Sequence, residues 1–338
     1  MSIRRAASVV ILSMAVAMAA TASERAPSPG TSAVALAAAS LKPGAWVELK
    51  TEGFTKELTK TSKSYSIFGW SDDGAWDPQS GQFLFMGFRQ EYKFIALSEF
   101  TSAWRTYPAP EVKQTFGHPY GNNAIDPENG LYYHLECGTP QVRAFDTRKE
   151  TWTLLPPCPF PCVGLALSIE YFPEAKALIF LHHQKAYAYE PAVGKWREFA
   201  KGIPVGTDHV LFHYNTKHRC LLLLGGNGQK NKVAVIDAQG QITAKKDAPV
   251  EMSMVAAYNA AIEDPVSGDV LVLSTKDDCY AYDLAGDIWR RMGKTAEVTP
   301  LRTNCVVGAP IAKYGVSIWV EGYADSARHV WLYKHARP

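Results

Sequence analysis

The stretch that decides the fold is DPVSGDVLVLSTKDDCYAYDLAGDIWRRMG, residues 264–293. A turn of Asp, Pro and Gly precedes an apolar run at 268–275, a second strand ends at Asp283, and a third contains Trp289. Each run is too short for a typical helix, and its β-branched and aromatic residues favour strands. The turn residues preset the backbone angles of tight hairpins. The stretch therefore predicts an antiparallel meander.

The same pattern recurs along the chain. Apolar runs of this kind occupy residues 81–88, 130–138, 176–183, 219–226, 268–275 and 315–322. The following strands often end in an acid, and four such acids stand 44, 47 and 46 residues apart: Asp146, Glu190, Asp237 and Asp283. A tryptophan strand comes next at Trp104, Trp152, Trp196 and Trp289, with Ile242 at the equivalent place of the fourth repeat. One such sheet buries neither face well, so the repeats must pack face to face.

This periodicity predicts an all-β fold, a six-bladed β-propeller of four-stranded antiparallel blades. The last repeat stops one strand short, after 329–334, whereas a spare strand at 45–50 precedes the first repeat. We predict that this N-terminal strand closes the last blade, because closure leaves no unpaired sheet edge. A β-sandwich is the alternative, but it does not account for tryptophans at equivalent repeat positions.

The repeats resemble the kelch and galactose-oxidase-like propeller family in their Asp-Pro and Gly turn, apolar strand, aromatic-x-Asp strand and Trp strand. The resemblance covers about 45–335, although the double glycine typical of the second kelch strand is kept only as Gly225-Gly226. It implies a kelch-repeat propeller. It leaves the function open, because propellers host binding scaffolds, lyases, isomerases, hydrolases and oxidases. No Cys has the context of a galactose-oxidase copper site.

The N-terminus has the pattern of a secretory signal peptide over residues 1–22. Arg4 and Arg5 precede an apolar run that is too short to span a bilayer and that ends in a small-x-small sequence. Cleavage is expected after Ala22 or Ala19, and an uncleaved anchor is the alternative. Residues 23–43 are predicted to be a flexible linker and residues 44–338 the propeller. The protein is accordingly predicted to be secreted or periplasmic, with no integral membrane span after cleavage.

Charge and cysteine content limit the classes of partner. The 35 Lys and Arg residues and the 33 Asp and Glu residues give a net charge of +2, so a nucleic-acid partner is not expected. No glycine-rich phosphate loop occurs, and we expect neither cofactor nor metal. Cys158 and Cys162 flank Pro-Phe-Pro and are the candidate disulfide, while a zinc site lacks two further ligands nearby. The oligomeric state is left open.

Polar residues concentrate where the chain approaches each innermost strand, and in a propeller these segments surround one mouth of the channel. The ligand-binding candidates are Asp72, His118, Tyr120, Asn122, Asp208, His209, Tyr258, Asn259, Arg302 and Asn304. The function predicted from them is recognition of a ligand, a glycan or a protein partner, at the channel mouth.

Five of these residues also form an acid–base inventory: His118, Tyr120, His209, Tyr258 and Arg302. Imidazoles titrate near neutrality, tyrosine can donate or accept a proton, and arginine can neutralise a carboxylate. The alternative function is therefore a carbohydrate-active enzyme, a polysaccharide lyase or a sugar epimerase acting on an acidic sugar. A third interpretation is that these side chains only hydrogen-bond one another and channel water.

Overall fold

The structure is a computed structural model, and it describes residues 32–63, 65–112, 117–160, 164–253, 259–274, 278–301, 305–323 and 328–336. Its strands form six four-stranded antiparallel sheets, which we call blades 1 to 6 in chain order. This arrangement confirms the predicted six-bladed β-propeller. Helices are short and few within the described residues.

Blades 1 to 5 each consist of four consecutive strands. The first strand of the chain, β1 (Trp46–Glu48), belongs to blade 6. Blade 1 contains β2 (Ala75–Asp77), β3 (Gln82–Phe88), β4 (Tyr92–Ser98) and β5 (Trp104–Tyr107). Blade 2 contains β6 (Asn123–Asp126), β7 (Leu131–Leu135), β8 (Val142–Asp146) and β9 (Thr151–Leu154). Blade 3 contains β10 (Ser168–Phe172), β11 (Ala177–His182), β12 (Lys185–Glu190) and β13 (Lys195–Lys201).

The second half of the chain repeats this order. Blade 4 contains β14 (Leu211–Asn215), β15 (Cys220–Leu224), β16 (Val233–Ile236) and β17 (Ile242–Lys245). Blade 5 contains β18 (Asn259–Glu263), β19 (Val270–Ser274), β20 (Asp278–Asp283) and β21 (Ile288–Lys294). Blade 6 contains β22 (Val306–Ile311), β23 (Val316–Gly322), β24 (Arg328–Tyr333) and, outermost, β1.

The innermost strands contact one another around the whole ring, in the order β2, β6, β10, β14, β18, β22 and back to β2. The amide of Ile169 donates to the carbonyl of Gly121 at 2.7 Å, and the amide of Gly74 donates to that of Gly308 at 3.0 Å. Glycine is needed at position 308, because a Cβ there would lie 2.0 Å from Cδ1 of Ile262. Close approach of these strands encloses a central channel.

The N-terminal strand closes the ring as predicted. Strand β1 pairs antiparallel with β24, with Trp46 opposite Tyr333 and Glu48 opposite Trp331. The amide of Gly44 extends this ladder by donating to the carbonyl of Lys334 at 2.8 Å. The last blade therefore takes its fourth strand from the beginning of the chain.

The repeated tryptophans join neighbouring blades by hydrogen bonds as well as by packing. Four indole Nε1 groups donate to main-chain carbonyls of the preceding blade: Trp46 to Val298 (2.9 Å), Trp152 to Pro108 (2.8 Å), Trp196 to Pro156 (2.8 Å) and Trp289 to Lys246 (3.2 Å). Trp104 donates instead to the Oγ1 of Thr51 at 3.1 Å. Blade 4 has Ile242 at this place and no indole donor there.

The N-terminal segment differs in part from the predicted flexible linker. Residues 33–40 form helix α1 (Ala33–Ser40), and the Oγ of its N-cap Ser32 accepts from the amide of Ala35 at 3.1 Å. Val34 and Ala38 are buried in the same core cluster as strands of blades 1 and 6. Burial of these apolar side chains orders a segment whose composition resembles that of a linker. The predicted signal peptide and residues 23–31 lie outside the described residues.

Two other helices are single turns, α2 (Lys56–Thr59) and α3 (Thr295–Val298). Short 3-10 turns cover Pro173–Ala175 and Ala312–Tyr314. Across the described ranges, no helix combines the length and the apolar composition needed to cross a bilayer.

Candidate functional site

The channel has two ends of different composition. We call the end at which the chain enters the innermost strands the top face, and the end carrying the turns that follow these strands the bottom face. The second strand of each blade runs back toward the top face, so its closing hairpin also lies there. Of the predicted residues that the structure describes, His118, Tyr120, Asn122, Asp208 and His209 lie in segments at the top face.

Four aromatic rings from three blades meet at the top face, and we call them the top cluster: Trp70, His118, Tyr120 and His209. The ring centroids of Trp70 and His118 lie 4.6 Å apart, and those of Trp70 and His209 lie 5.8 Å apart. Tyr120 lies 5.4 Å from His118 and 5.5 Å from His209. Three predicted site residues therefore converge, together with a tryptophan that the sequence analysis did not include.

The backbone of the top cluster is strained. Trp70, Tyr120 and His209 have φ values of 70°, 44° and 58°, in the left-handed region that residues with a Cβ rarely adopt. Neighbouring bonds hold these segments, since the Ser71 hydroxyl donates to the carbonyl of Tyr120 and the amide of His209 donates to that of Ala166 at 3.1 Å. Strain of this kind costs on the order of 1–3 kcal/mol per residue and is concentrated at functional sites. Three bulky residues therefore adopt unfavourable backbone angles at one mouth.

A cation adjoins the cluster. Arg89 follows β3, and its NH1 contacts both ring nitrogens of His118, lying 2.6 Å from Nδ1 and closer to Nε2. Its guanidinium lies over the ring of Tyr65, 4.7 Å from the centroid. Among the described residues no carboxylate forms an ion pair with Arg89. Arg89 was not predicted from the sequence, because it lies in a hairpin after a second strand, whereas the predicted residues lie in segments leading into innermost strands.

The surroundings fix the protonation states of the cluster. Burial, reinforced by the charge of Arg89, lowers the pKa of His118 to about 3. Burial also lowers the pKa of His209 and raises the pKa of Tyr120 to about 12. Near neutral pH both imidazoles are therefore neutral and the phenol keeps its proton.

Several polar atoms of the predicted site residues are buried without a hydrogen-bond partner among the described residues: Asp72 Oδ1, Asn122 Oδ1 and His209 Nδ1. Buried polar groups are nearly always paired with protein or with ordered water. Asp208 is half-buried, and its Oδ2 accepts from the hydroxyl of Thr207 at 3.2 Å. The unpaired atoms of Asn122 and His209 can accept further hydrogen bonds at this end of the channel.

The structure separates Asp72 from the other candidates. Its side chain is completely buried, and its Oδ2 accepts from Nε2 of His213 at 3.0 Å and from the amide of Ala261 at 2.9 Å. It therefore belongs to the channel interior rather than to the top cluster. Tyr258, Arg302, Asn304 and the side chain of Asn259 lie outside the described residues.

The channel interior holds ionisable groups that the sequence analysis missed. A cavity of about 180 Å³ opens at the bottom face and is lined by Asp73, Glu170, His213 and Glu263 among apolar residues. A charged residue within an otherwise apolar innermost strand, as in SIEYF (168–172) and LFHYN (211–215), is the signal that could have identified two of them.

The predictions about a metal site and a disulfide concern His, Cys, Asp and Glu side chains. Within those ranges, no three His, Cys, Asp or Glu side chains are placed to hold a metal ion. Cys158 is buried, and its predicted partner Cys162 lies outside the described residues, so the disulfide stays a prediction.

Two solved structures that are similar to this chain are β-propellers. A structure described as streptogramin B lyase is 14% identical over 77% of this chain and 77% of its own, with a TM-score of 0.50. TolB from Acinetobacter baumannii is 13% identical over 77% of this chain and 53% of its own, with a TM-score of 0.42. No protein-family model and no curated protein sequence matches the chain. At 14% identity the likeness to the first of these structures supports the fold alone.

Proposed function

We propose that the protein is an exported, kelch-like propeller that recognises a ligand at its top face, and that this ligand is a glycan containing an acidic sugar. The observation that carries the proposal is the convergence of Trp70, His118, Tyr120 and His209 from three blades around one mouth. Exposed parts of such rings pack against the apolar face of a sugar, while their polar atoms bind its hydroxyl groups.

The acidic character of the ligand is inferred from Arg89. This half-buried guanidinium contacts only a neutral imidazole and a tyrosine ring among the described residues. Arginine binds carboxylates through charge-assisted, often bidentate hydrogen bonds. The unpaired atoms Asn122 Oδ1 and His209 Nδ1 support hydrogen bonding to hydroxyl groups at the same mouth. A protein partner is the other class of ligand that the aromatic surface fits.

Calorimetric titration with tetragalacturonate and with uncharged cellotetraose tests this proposal. We expect the acidic tetrasaccharide to bind more tightly, and Trp70→Leu to weaken its binding. Arg89→Gln should weaken it by about ten- to a hundredfold, which corresponds to a hydrogen bond between charged groups. Arg148→Gln makes the same change of charge at an exposed arginine in the bottom-face turn after β8 and should have no effect. Equal binding by Arg89→Gln and the unchanged protein would contradict the role of Arg89.

An enzyme acting on an acidic sugar is the second candidate, favoured by the neutral His209 next to the protonated Tyr120. The unpaired Nδ1 of His209 could accept the proton beside a uronate carboxylate, Tyr120 could donate one, and Arg89 could bind the carboxylate. The low pKa of His118 makes that imidazole a weak base, which favours simple recognition. Ultraviolet absorbance of unsaturated ends would reveal a lyase, and deuterium uptake from solvent would reveal an epimerase. The absence of both signals with uronate polymers would exclude this candidate.

A further inference from the structure

We propose that the cavity at the bottom face is a second binding site, which takes a compact organic cation: a primary ammonium group on a small apolar body. The cavity lies below the top cluster and shares none of the top cluster's four side chains. The inference is therefore independent of the function proposed for the top face.

The walls of the cavity fit an apolar body. Its volume is about 180 Å³, and Trp76, Ile125 and Ile262 line it together with prolines of the bottom-face turns. Blades 2, 5 and 6 face the channel with small residues at Ala124, Ala261 and Gly308. These small residues leave space for a ligand in the cavity, and the carboxyl groups of the lining come from blades 1, 3 and 5.

Three carboxyl groups of the lining accept hydrogen bonds from main-chain amides and have no Lys or Arg partner among the described residues. Glu170 Oε2 accepts from the amide of Tyr214 at 3.1 Å, and Asp73 Oδ2 accepts from that of Asn123 at 3.0 Å. Glu263 accepts from two main-chain amides and one hydroxyl group of the turn after β14. Among the described residues, no Lys or Arg side chain pairs with any of these three carboxyl groups.

The Asp72 carboxyl group lies behind the wall of the cavity and does not itself line it. Asp72 is completely buried, and its Oδ2 accepts from Nε2 of His213 and from the amide of Ala261, both of which line the cavity. The lining therefore presents the carboxyl acceptors of Asp73, Glu170 and Glu263, with a further carboxyl group behind them. An ammonium group offers three donors and no acceptor, which matches this lining.

The ionisable groups of the channel also favour a bound cation. Four carboxyl groups, those of Asp72, Asp73, Glu170 and Glu263, share the channel with one imidazole, that of His213. Burial raises the pKa of Glu170 and of Glu263 to about 7, so protons partly neutralise them near neutral pH. Burial lowers the pKa of His213, but the carboxylates, Asp72 foremost, outweigh it and raise this pKa overall. Burial, reinforced by the charges of Glu170 and Asp72, raises the pKa of Asp73 well above its usual range. A cation that enters must therefore displace protons from Asp73 and the two glutamates.

The remaining ionisable groups around the cavity do not change this balance. They lie at its rim: Tyr171, Tyr214 and Lys313. The pKa values of both tyrosines are raised, by burial first, so the two phenols stay neutral. The Nζ of Lys313 is bound to Glu99 at 3.2 Å, outside the cavity lining. Blade 2 contributes no ionisable side chain to the lining.

Calorimetric titration of the full chain with benzylammonium and with benzyl alcohol, its uncharged counterpart, tests the site. We expect benzylammonium to bind at one site per chain and at least about tenfold more tightly, the least that one charge-assisted hydrogen bond contributes. Its affinity should rise between about pH 6 and about pH 8, because the glutamate protons that it displaces are lost over that range. Equal binding of the two probes, or no binding, would overturn the proposal.

Matched variants locate the bound cation. Glu263→Gln and Glu170→Gln each remove a carboxylate and keep one of its two acceptor oxygens, so one main-chain amide loses its acceptor in each variant. Each should weaken benzylammonium binding by about tenfold or more. Glu198→Gln, at an exposed position of β13, should leave it unchanged. Unchanged binding in both cavity variants would overturn the assignment. If neither variant folds, the pH dependence in the unchanged protein decides, since a flat profile contradicts binding to these glutamates.

Discussion

The hydrogen bond from Trp46 to the preceding blade should contribute measurably to stability. The Trp46 ring stacks on Tyr333 with centroids 4.4 Å apart and lies 5.7 Å from that of Trp319, while its Nε1 donates to the carbonyl of Val298 at 2.9 Å. Trp46→Phe keeps an aromatic ring in this position and removes the donor. The carbonyl of Val298 then loses its indole partner in a partly buried place.

The expected cost follows from that partial burial. A net hydrogen bond contributes about 0.5–1.5 kcal/mol, and a carbonyl group left without a partner adds part of its desolvation penalty, so the free energy of unfolding should fall by about 1–2 kcal/mol. For a domain of this size, that corresponds to a fall in Tm of about 2–4 °C. The equivalent bond of Trp196 is solvent-exposed, so water replaces the lost donor and Trp196→Phe should cost only about 0.5–1 kcal/mol.

Urea unfolding of the unchanged protein and of both variants, followed by far-ultraviolet circular dichroism, measures the difference. The reasoning requires that Trp46→Phe lower the midpoint more than Trp196→Phe does, with an unchanged slope. An unchanged midpoint in Trp46→Phe, or an equal loss in both variants, would refute it and would leave ring packing as the only contribution of these tryptophans to blade association.

Two further predictions concern other parts of the chain. Burial lowers the pKa of His134 to about 3, whereas an imidazole in the unfolded chain titrates near about 6.5. As the pH drops below about 6.5, only the unfolded chain takes up this proton, so the free energy of unfolding falls by about 1.4 kcal/mol per pH unit. Between about pH 6.5 and about pH 5, His134→Gln should lose about 2 kcal/mol less of its free energy of unfolding than the unchanged protein loses, as measured by urea titration. An equally steep loss in the variant and the unchanged protein would contradict this. Mass spectrometry of the exported protein should give an N-terminus at Ser23 or Ala20, and an intact Met1 would contradict signal cleavage.

The architecture was predictable because each blade carries its own local signals. Turns such as Asp264-Pro265 and short apolar runs specify hairpins without reference to the rest of the chain. Counting strands then identified the pairing of Trp46 with the C-terminal strand, since a ring with one missing and one spare strand has a single closed solution. The helix over Ala33–Ser40 was not predicted, because its burial depends on a surface that only the closed ring supplies.

The site was predictable only in part, because its residues belong to different blades and meet only when the ring of blades is closed. The repeat register selected Tyr120 and His209, and they do meet. Arg89 belongs to a hairpin that the register did not connect with the channel mouth. The bond between Asp72 and His213 joins residues 141 positions apart, and no sequence spacing indicates which side chains two distant blades direct toward each other.

The channel carboxyl groups have a structural origin that also explains their chemistry. Innermost strands are sheet edges, and their inward amides have no further strand to pair with. Carboxylates from other blades bind several of these amides, among them those of Asn123, Tyr214 and Ala261. A carboxylate serves this role well because it is an acceptor only, yet each one brings a negative charge into a poorly solvated channel. Protons reduce this charge, because burial raises the pKa of Glu170 and of Glu263 to about 7, so the same residues that bind the strand-edge amides hold titratable protons inside the channel.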